Sequence, residues 1–277
     1  MARTTIPTGR AFSQEGAAEA WRKAAAGRAA YLRVPAARMF ALAALKPGAR
    51  VLVIGGGTGD EAIEAARRVG AGGEVVHTDL SPGMVREAAK AVAEAGFGRL
   101  RCVVMDAQEL AFPDAGFDAV IARNVLMFIP DLQRGLSEMR RVLRPGGRLV
   151  GTTWASGDRN PRMSIPLAAA RSVGLVVPPD TALSLALGLS RPDRLRAAIR
   201  RAGFRRAEVE RAPASARPQD WTPYLTDIRQ HVGAKEIADL LPERDRDRFW
   251  RSVERRVTRL RATGQLRGEQ LVICATA

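Results

Sequence analysis

The chain has 277 residues, 46% of them hydrophobic, enough to bury a full core in one large domain or two small ones. Its formal net charge of +15 raises an acidic partner as one reading, but only four of its 44 basic residues are lysines, and such an arginine bias reads more simply as a solvated surface. No apolar run reaches the ~18 residues of a membrane span, the opening MARTTIPTGRAFSQEG lacks the apolar stretch of a secretory signal, and two cysteines and two histidines without short ligand spacing argue against a zinc site.

Taken in chain order, residues 1–40 read as an N-terminal helical segment carrying Trp21 and Tyr31. RVLVI is a buried strand that ends in a glycine loop, and DEAIEAARRVG is a helix stopped at Gly70. GEVVHTDLS is a second strand ending in Asp79, followed by a helix from Pro82 to Gly96. LRCVVMDA and FDAVIARNV are the third and fourth strands, and Asp131 to Leu143 is amphipathic, with Leu132, Leu136, Met139 and Leu143 on one stripe. RPGGRLVGTTW is a turn and a fifth strand. Strands alternating with helices predict an α/β fold: a Rossmann-like, doubly wound, mostly parallel sheet, bearing a helical cap. After Trp154 the pattern breaks. Residues 156–190 are rich in Pro, Ser and small apolar residues and read as a cap insertion. Residues 191–214 return a core helix and strand, and 266–277 a final strand. Between these lies 215–265, too long for a loop and helical by pattern, which reads as a lid. One of its helices sets Phe249, Val253, Val257 and Leu260 in register, so its arginines fall on the solvated side. Cys102 and Cys274 sit in two of the strand runs and read as buried, reduced thiols.

The glycine loop is the first functional signal. Gly55, Gly56, Gly57 and Gly59 lie directly after the first strand, where a Cβ would bar the backbone from close contact with a ligand. A dinucleotide loop would carry a third glycine at position 60, but Asp60 stands there. An acid at a helix N-terminus repels a pyrophosphate and tolerates a cofactor that has no phosphate and carries a positive charge.

Four stretches in order, VLVIGGGTG, VVHTDLSPGMV, DAQELAFPDAGFDAV and RVLRPGGRLV, resemble the motifs of the class I S-adenosylmethionine-dependent methyltransferases, in the subgroup similar to the ubiquinone/menaquinone C-methyltransferases. The resemblance covers residues 40–155 well and 190–210 more weakly, makes 41–155 the cofactor-binding core, and implies a seven-stranded sheet whose last strand is antiparallel. It implies S-adenosylmethionine as cofactor and S-adenosylhomocysteine as product. It places Gly55, Gly56, Gly57, Thr58 and Gly59 at the cofactor's amino-acid end and ribose, and Asp79 on the ribose hydroxyls. Asp106 and Ala107 would meet the adenine edge, Leu80 and Met105 its faces, and Arg123 would line the site. One position departs from the pattern: the family carries an acid where this chain has Val53. Asp60, or a residue of the N-terminal helix, is the expected compensation. Failing that, the chain would be a non-catalytic cofactor-binding protein.

For the acceptor, the N/D-P-P-Y/F signature of amino-methylating nucleic-acid enzymes is missing after the fourth strand, which reads ARNVLMFIP. Neither cysteine follows a proline, as a cytosine-methylating nucleophile would, and an arsenite-type site needs more cysteines than the chain has. A small apolar or aromatic metabolite bound under the cap is expected, with RNA as the alternative acceptor. Trp21, Tyr31, Trp154, Arg162, Trp221 and Tyr224 are the candidate pocket residues. His231 is the candidate general base, placed with Trp221, Tyr224, Leu225 and Ile228 on one helix side, near a helix C-terminus where the dipole favours it. His77, inside a strand, reads as structural. No metal and no membrane span are expected, the localisation expected is cytoplasmic, and a homodimer is left open.

Overall fold

The computed structural model describes residues 17–215, 225, 228–229, 231–263 and 267–277. Three short helices open it: α1 (Ala17–Lys23), α2 (Ala25–Tyr31) and α3 (Arg33–Ala43). The core then alternates: β1 (Arg50–Ile54), α4 (Asp60–Val69), β2 (Glu74–Asp79), α5 (Pro82–Glu94), β3 (Arg101–Val104), β4 (Phe117–Arg123), α6 (Leu132–Val142) and β5 (Leu143–Trp154). Helices α7 (Pro161–Ser172) and α8 (Ala182–Ala186) follow, then α9 (Pro192–Arg201) and β6 (Arg206–Ser215). Helices α10 (Val232–Asp239) and α11 (Glu243–Thr263) precede the final strand, β7 (Arg267–Thr276).

The seven strands form one sheet in the order β3-β2-β1-β4-β5-β7-β6, and β7 alone runs antiparallel to its neighbours. This is the expected sheet. From β1 the chain winds outward through β2 and β3, then returns to β4 on the other side. The winding direction therefore reverses between β1 and β4, and a doubly wound sheet opens a crevice beyond the carboxyl ends of its strands at such a point.

The central strands are apolar along their length because both faces are covered. Side chains alternate along β1: Val51 and Val53 join Met39, Phe40 and Val69 on the face under α3 and α4, while Leu52 and Ile54 join Leu136, Met139, Leu195 and Ile199 on the face under α6 and α9. A third cluster belongs to the cap. Met163, Leu183, Ile237, Phe249 and Val253 pack with Tyr31, Met127 and Trp154, which fixes α7, α8, α10 and α11 to the carboxyl ends of β4 and β5. Within α11, Phe249, Val253 and Val257 are buried on the side their spacing anticipates, and Leu260 packs against the same cluster.

Two local expectations are corrected. The stretch 156–190 is more regular than its composition suggests: Pro161 stands in the first turn of α7, where its missing N–H costs nothing, and Pro166 is buried inside the helix. The two cysteines are free, but each is half-buried rather than buried. Partial burial pushes both thiols above their usual range, so neither is an activated nucleophile.

Candidate cofactor and acceptor site

The glycine loop leaves β1 at Gly55, whose φ of 57° is left-handed and whose Cβ, if present, would lie 2.2 Å from Val125 Cγ2. Gly57 is also left-handed, at 54°, and its amide donates a 2.9 Å hydrogen bond to Asp79 Oδ2. The Ser81 amide donates to Asp79 Oδ1 at 2.9 Å, so the carboxylate at the end of β2 is fixed between the loop and the cap of α5. Burial raises the Asp79 carboxyl, and the backbone amides of Ser81, Gly57 and Leu80 oppose that shift. Beside it, Leu80 is 61% exposed and Val104, ending β3, is 48% exposed. These apolar residues form a bare ledge at the carboxyl ends of two adjacent parallel strands. Met105 and Ala107 continue it, half-buried, and Asp106 accepts hydrogen bonds from the Gln108 amide and side chain at 2.8 and 3.0 Å.

The loop is covered from above by α1 and α2. The Trp21 indole lies 3.3 Å from where a Gly57 Cβ would stand, and the Arg28 guanidinium stacks on the Trp21 ring at 4.2 Å. Arg22 ties α1 down to Glu87 and Glu94 of α5, at 3.3 and 2.5 Å. Arg28 also pairs with Asp60 at 3.3 Å, which joins the first residue of α4 to the N-terminal helices. Arg123, at the end of β4, pairs at 2.5 Å with Glu61 and lies 4.0 Å from Asp60. Burial raises the Glu61 carboxyl, and Arg123 opposes that shift. Two arginines and two carboxylates thus form a compact set at the first turn of α4, with Arg28, Arg123 and Glu61 largely buried and Asp60 half-exposed.

Val53, where the resemblance expects an acid, is 1% exposed and registers against His77 on β2. The two side chains lie beneath Gly56, whose added Cβ would meet His77 Nδ1 at 2.5 Å and Val53 Cγ1 at 2.9 Å. Burial pushes His77 down to about 4, and the nearby Gly57 backbone offsets this only in part. A neutral imidazole and an isopropyl group therefore fill the space in which the family keeps a carboxylate.

Around this loop, polar side-chain atoms lack hydrogen-bond partners among the described residues: Thr58 Oγ1, both His77 ring nitrogens and Arg28 Nε. A native interior rarely leaves such groups unsatisfied. A ligand with a polar, zwitterionic end at the loop would meet Thr58 Oγ1 and Arg28 Nε, though not His77, which is sealed beneath Gly56, and a flat ring on the Leu80 ledge would cover the exposed apolar surface, so the residues present fit S-adenosylmethionine.

The pocket candidates divide into groups. Tyr31 and Trp154 meet with ring centroids 6.4 Å apart, and the Arg162 guanidinium lies 5.5 Å over the Tyr31 ring. Trp21 belongs to the glycine loop instead. Trp221 and Tyr224 lie outside the described residues. His231 follows the helical residues Ile228 and Arg229, its amide donating to the Ile228 carbonyl at 3.2 Å, and it is also the N-cap of α10, where its Nδ1 accepts from the Gly233 amide at 3.2 Å. Burial, with the Arg162 charge nearby, pushes it down to about 3. A neutral ring that accepts at Nδ1 carries its proton on Nε2.

Asn124 is the polar residue of this region that the sequence reading gives no role. It follows β4 directly, at a φ of 53°, which few residues other than glycine adopt readily. Its Oδ1 accepts from Thr152 Oγ1 at 3.1 Å and from Gln270 Nε2 at 2.9 Å. With the oxygen occupied twice, the amide NH2 is held in one orientation. Strained, well-anchored residues of this kind gather at functional sites.

Residues 52–151 match the methyltransferase domain family. A ubiquinone/menaquinone biosynthesis C-methyltransferase of Bordetella avium is 40% identical over 126 residues, 46% of either chain. The chain thus spans about half the length of such relatives. A nocamycin O-methyltransferase of Saccharothrix syringae is 33% identical over 210 residues, covering 69% of this chain and 74% of the relative. Among solved structures, a SAM-dependent methyltransferase from Aquifex aeolicus shares the fold, with a TM-score of 0.55 at 19% identity, over 69% of this chain and 90% of that one. The doubly wound sheet with its glycine loop, strand-end acid and antiparallel seventh strand is the fold shared with that methyltransferase. The chain belongs to the S-adenosylmethionine-dependent methyltransferase family. No helix among the described residues is long and apolar enough to cross a membrane.

Proposed function

We propose that this chain transfers a methyl group from S-adenosylmethionine to a small, largely apolar or aromatic metabolite. The observation that carries the reading is adjacency: the unsatisfied polar cradle at Gly55–Gly59 and the aromatic pair Tyr31–Trp154 both sit at the carboxyl edge of the sheet. The relatives named as a C-methyltransferase of ubiquinone/menaquinone biosynthesis and as a nocamycin O-methyltransferase support a small-molecule acceptor.

In this reading Gly55, Gly56, Gly57, Thr58 and Gly59 take the amino-acid end of the cofactor, with the Arg28 Nε available to its carboxylate. Asp79 accepts from the ribose hydroxyls, Leu80 and Met105 cover the adenine faces, and Asp106 and Ala107 meet its edge. Arg123 acts through its partner Glu61, holding the first turn of α4 against the loop. When bound, the sulfonium supplies an electrophilic methyl group. The chain's own task is to place an acceptor atom in line with that methyl and to exclude water, and such positioning supplies much of the rate. Trp154, Tyr31 and Arg162 form the acceptor wall, and Asn124 offers its fixed NH2 to an acceptor oxygen. His231 as a general base would first have to give up the Gly233 amide, so transfer by positioning is the simpler course.

Calorimetry should show S-adenosylhomocysteine binding to the intact chain. Asp79→Ala should weaken it by about 1.5–3 kcal/mol, the usual worth of hydrogen bonds to a charged group. Unchanged affinity would refute the ribose assignment. Labelled S-adenosylmethionine offered with a metabolite extract and with RNA then separates the acceptors: label in RNA alone would favour the RNA reading and sink this one.

A further inference from the structure

A strongly charged concavity lies away from the glycine loop, between α7 and α11. It is a groove of about 440 Å³ lined by Arg248, Arg251, Arg255, Arg256 and Arg259 of α11, with Ser172 and Val173 at the end of α7 opposite. At the α-helical rise these arginines span roughly 16 Å along one side of α11. The floor is anchored by a 2.9 Å hydrogen bond between Ser172 Oγ and Ser252 Oγ, and Ser172 Oγ also donates to the Ala169 carbonyl at 2.7 Å. Ser252 is 4% exposed, so the hydroxyl pair ties the two helices together beneath the guanidinium groups.

The charges in this groove are poorly compensated. Arg248 pairs with Asp245 at 3.3 Å, and Arg256 makes a long contact to Ser252 Oγ. Among the described residues no carboxylate lies within ion-pair distance of Arg251, Arg255, Arg256 or Arg259. Glu254, the acid between them in sequence, is turned to Arg229. Arg251 and Arg255, and Arg255 and Arg259, are four residues apart on one helix face, where like charges are mutually destabilising. A helix that only needed a solvated face would gain from alternating signs, as the first turns of α11 do with Glu243 and Asp245. Within the groove, the uncompensated stripe runs from Arg251, past the paired Arg248, to Arg259.

We propose that the groove between α7 and α11 binds a small oligophosphate, a ligand carrying two or more phosphate groups in a row. Guanidinium forks match phosphate oxygens bidentately and stay charged at any physiological pH. The groove has the size of a small-ligand site. No aromatic residue lines it, so it offers no platform on which a nucleic-acid base could stack. Inorganic oligophosphate and the phosphate tail of a nucleoside triphosphate present the same chemistry. Bound there, either would be held by the guanidinium groups of α11, with the end of α7 as the opposite wall. This site does not depend on which molecule is methylated.

The test is calorimetry on the full chain at physiological salt, with inorganic tripolyphosphate, orthophosphate, ATP and a short RNA as separate titrants. Tripolyphosphate should bind at least about tenfold more tightly than orthophosphate, because a second and third group each gain charge-assisted hydrogen bonds. The double substitution Arg251→Ala with Arg255→Ala should weaken it by about tenfold or more. Arg255→Lys, which keeps the charge and loses the fork, should fall between. Equal affinity for ATP and tripolyphosphate assigns the groove to the phosphates alone, while a much tighter ATP assigns it to a nucleotide; both support the site. Unfolding midpoints and S-adenosylhomocysteine affinity should match the parent, showing that the fold and the loop are intact. Equal weak binding of all phosphates, or tripolyphosphate binding that survives the double substitution, overturns the proposal. So does RNA binding more tightly than tripolyphosphate and lost in the same variant, which would make the groove a nucleic-acid surface.

Discussion

His77 provides a direct probe of the glycine loop's foundation. Its ring is fully buried against Gly56, and its folded value of about 4 lies well below the ordinary 6.5. The sign follows from linkage. Below pH 6.5 the unfolded chain binds a proton at this position that the folded chain refuses, so the full stability is present above 6.5 and is lost as pH falls toward 4. The whole shift corresponds to about 3.4 kcal/mol, of which about 2.5 kcal/mol is lost by pH 4.5. The perturbation is His77→Gln, which removes the titration and keeps a polar side chain of similar size. Urea unfolding of parent and variant, followed by circular dichroism at pH 7.5, 5.5 and 4.5, gives the difference directly. Other titrating groups, including His231 and the carboxylates, act in both proteins and cancel. The parent should lose about 2–3 kcal/mol more than the variant between the extremes. Parallel pH dependence in the two proteins would refute the claim that a neutral, desolvated His77 underlies the loop. Introducing the family's acid by Val53→Asp should reverse the shift, raising the His77 value seen by NMR through an adjacent carboxylate.

Three further outcomes are expected. Glu61→Gln should cost about 3 kcal/mol of stability, the lower end for a broken buried pair, because only Asp60, 4.0 Å away, is left to meet the Arg123 charge, and the apolar pair Glu61→Leu with Arg123→Met should recover much of it; an additive result would argue against coupling. Asn124→Ala should cut methyl transfer by about tenfold or more while S-adenosylhomocysteine binding is unchanged, since the amide is assigned to the acceptor alone; a loss of cofactor affinity instead would move Asn124 to the cofactor. Hydrogen exchange in α1, α7, α8, α10 and α11 should slow when S-adenosylhomocysteine binds, and equal rates with and without it would show that these helices do not cover the site.

The order of elements was legible because its causes are local. Apolar runs such as RVLVI and the 3.6-residue stripe of α6 record burial in the chain itself, and Gly55 and Gly57 announce left-handed turns that few other residues tolerate. Asp79 was legible as a strand-end acid for the same reason. Cap composition was a poorer guide: prolines suggested irregular chain, yet Pro161 sits where a helix accepts proline, and packing against Tyr31 and Trp154 stabilises the rest. What only the tertiary structure decided are the contacts between residues distant in sequence. Arg28 and Asp60 stand 32 positions apart, Asn124 and Gln270 stand 146 apart, and no periodicity links either pair. The environment of His77 was likewise hidden, because its low proton affinity comes from the Gly56 backbone and the strands around it. The five arginines with which α11 lines the groove could be read from the sequence as a solvated face. That they line a groove against Ser172, with no carboxylate among the described residues to meet Arg251 or Arg255, depends on how α7 and α11 pack, and long-range packing alone determines that.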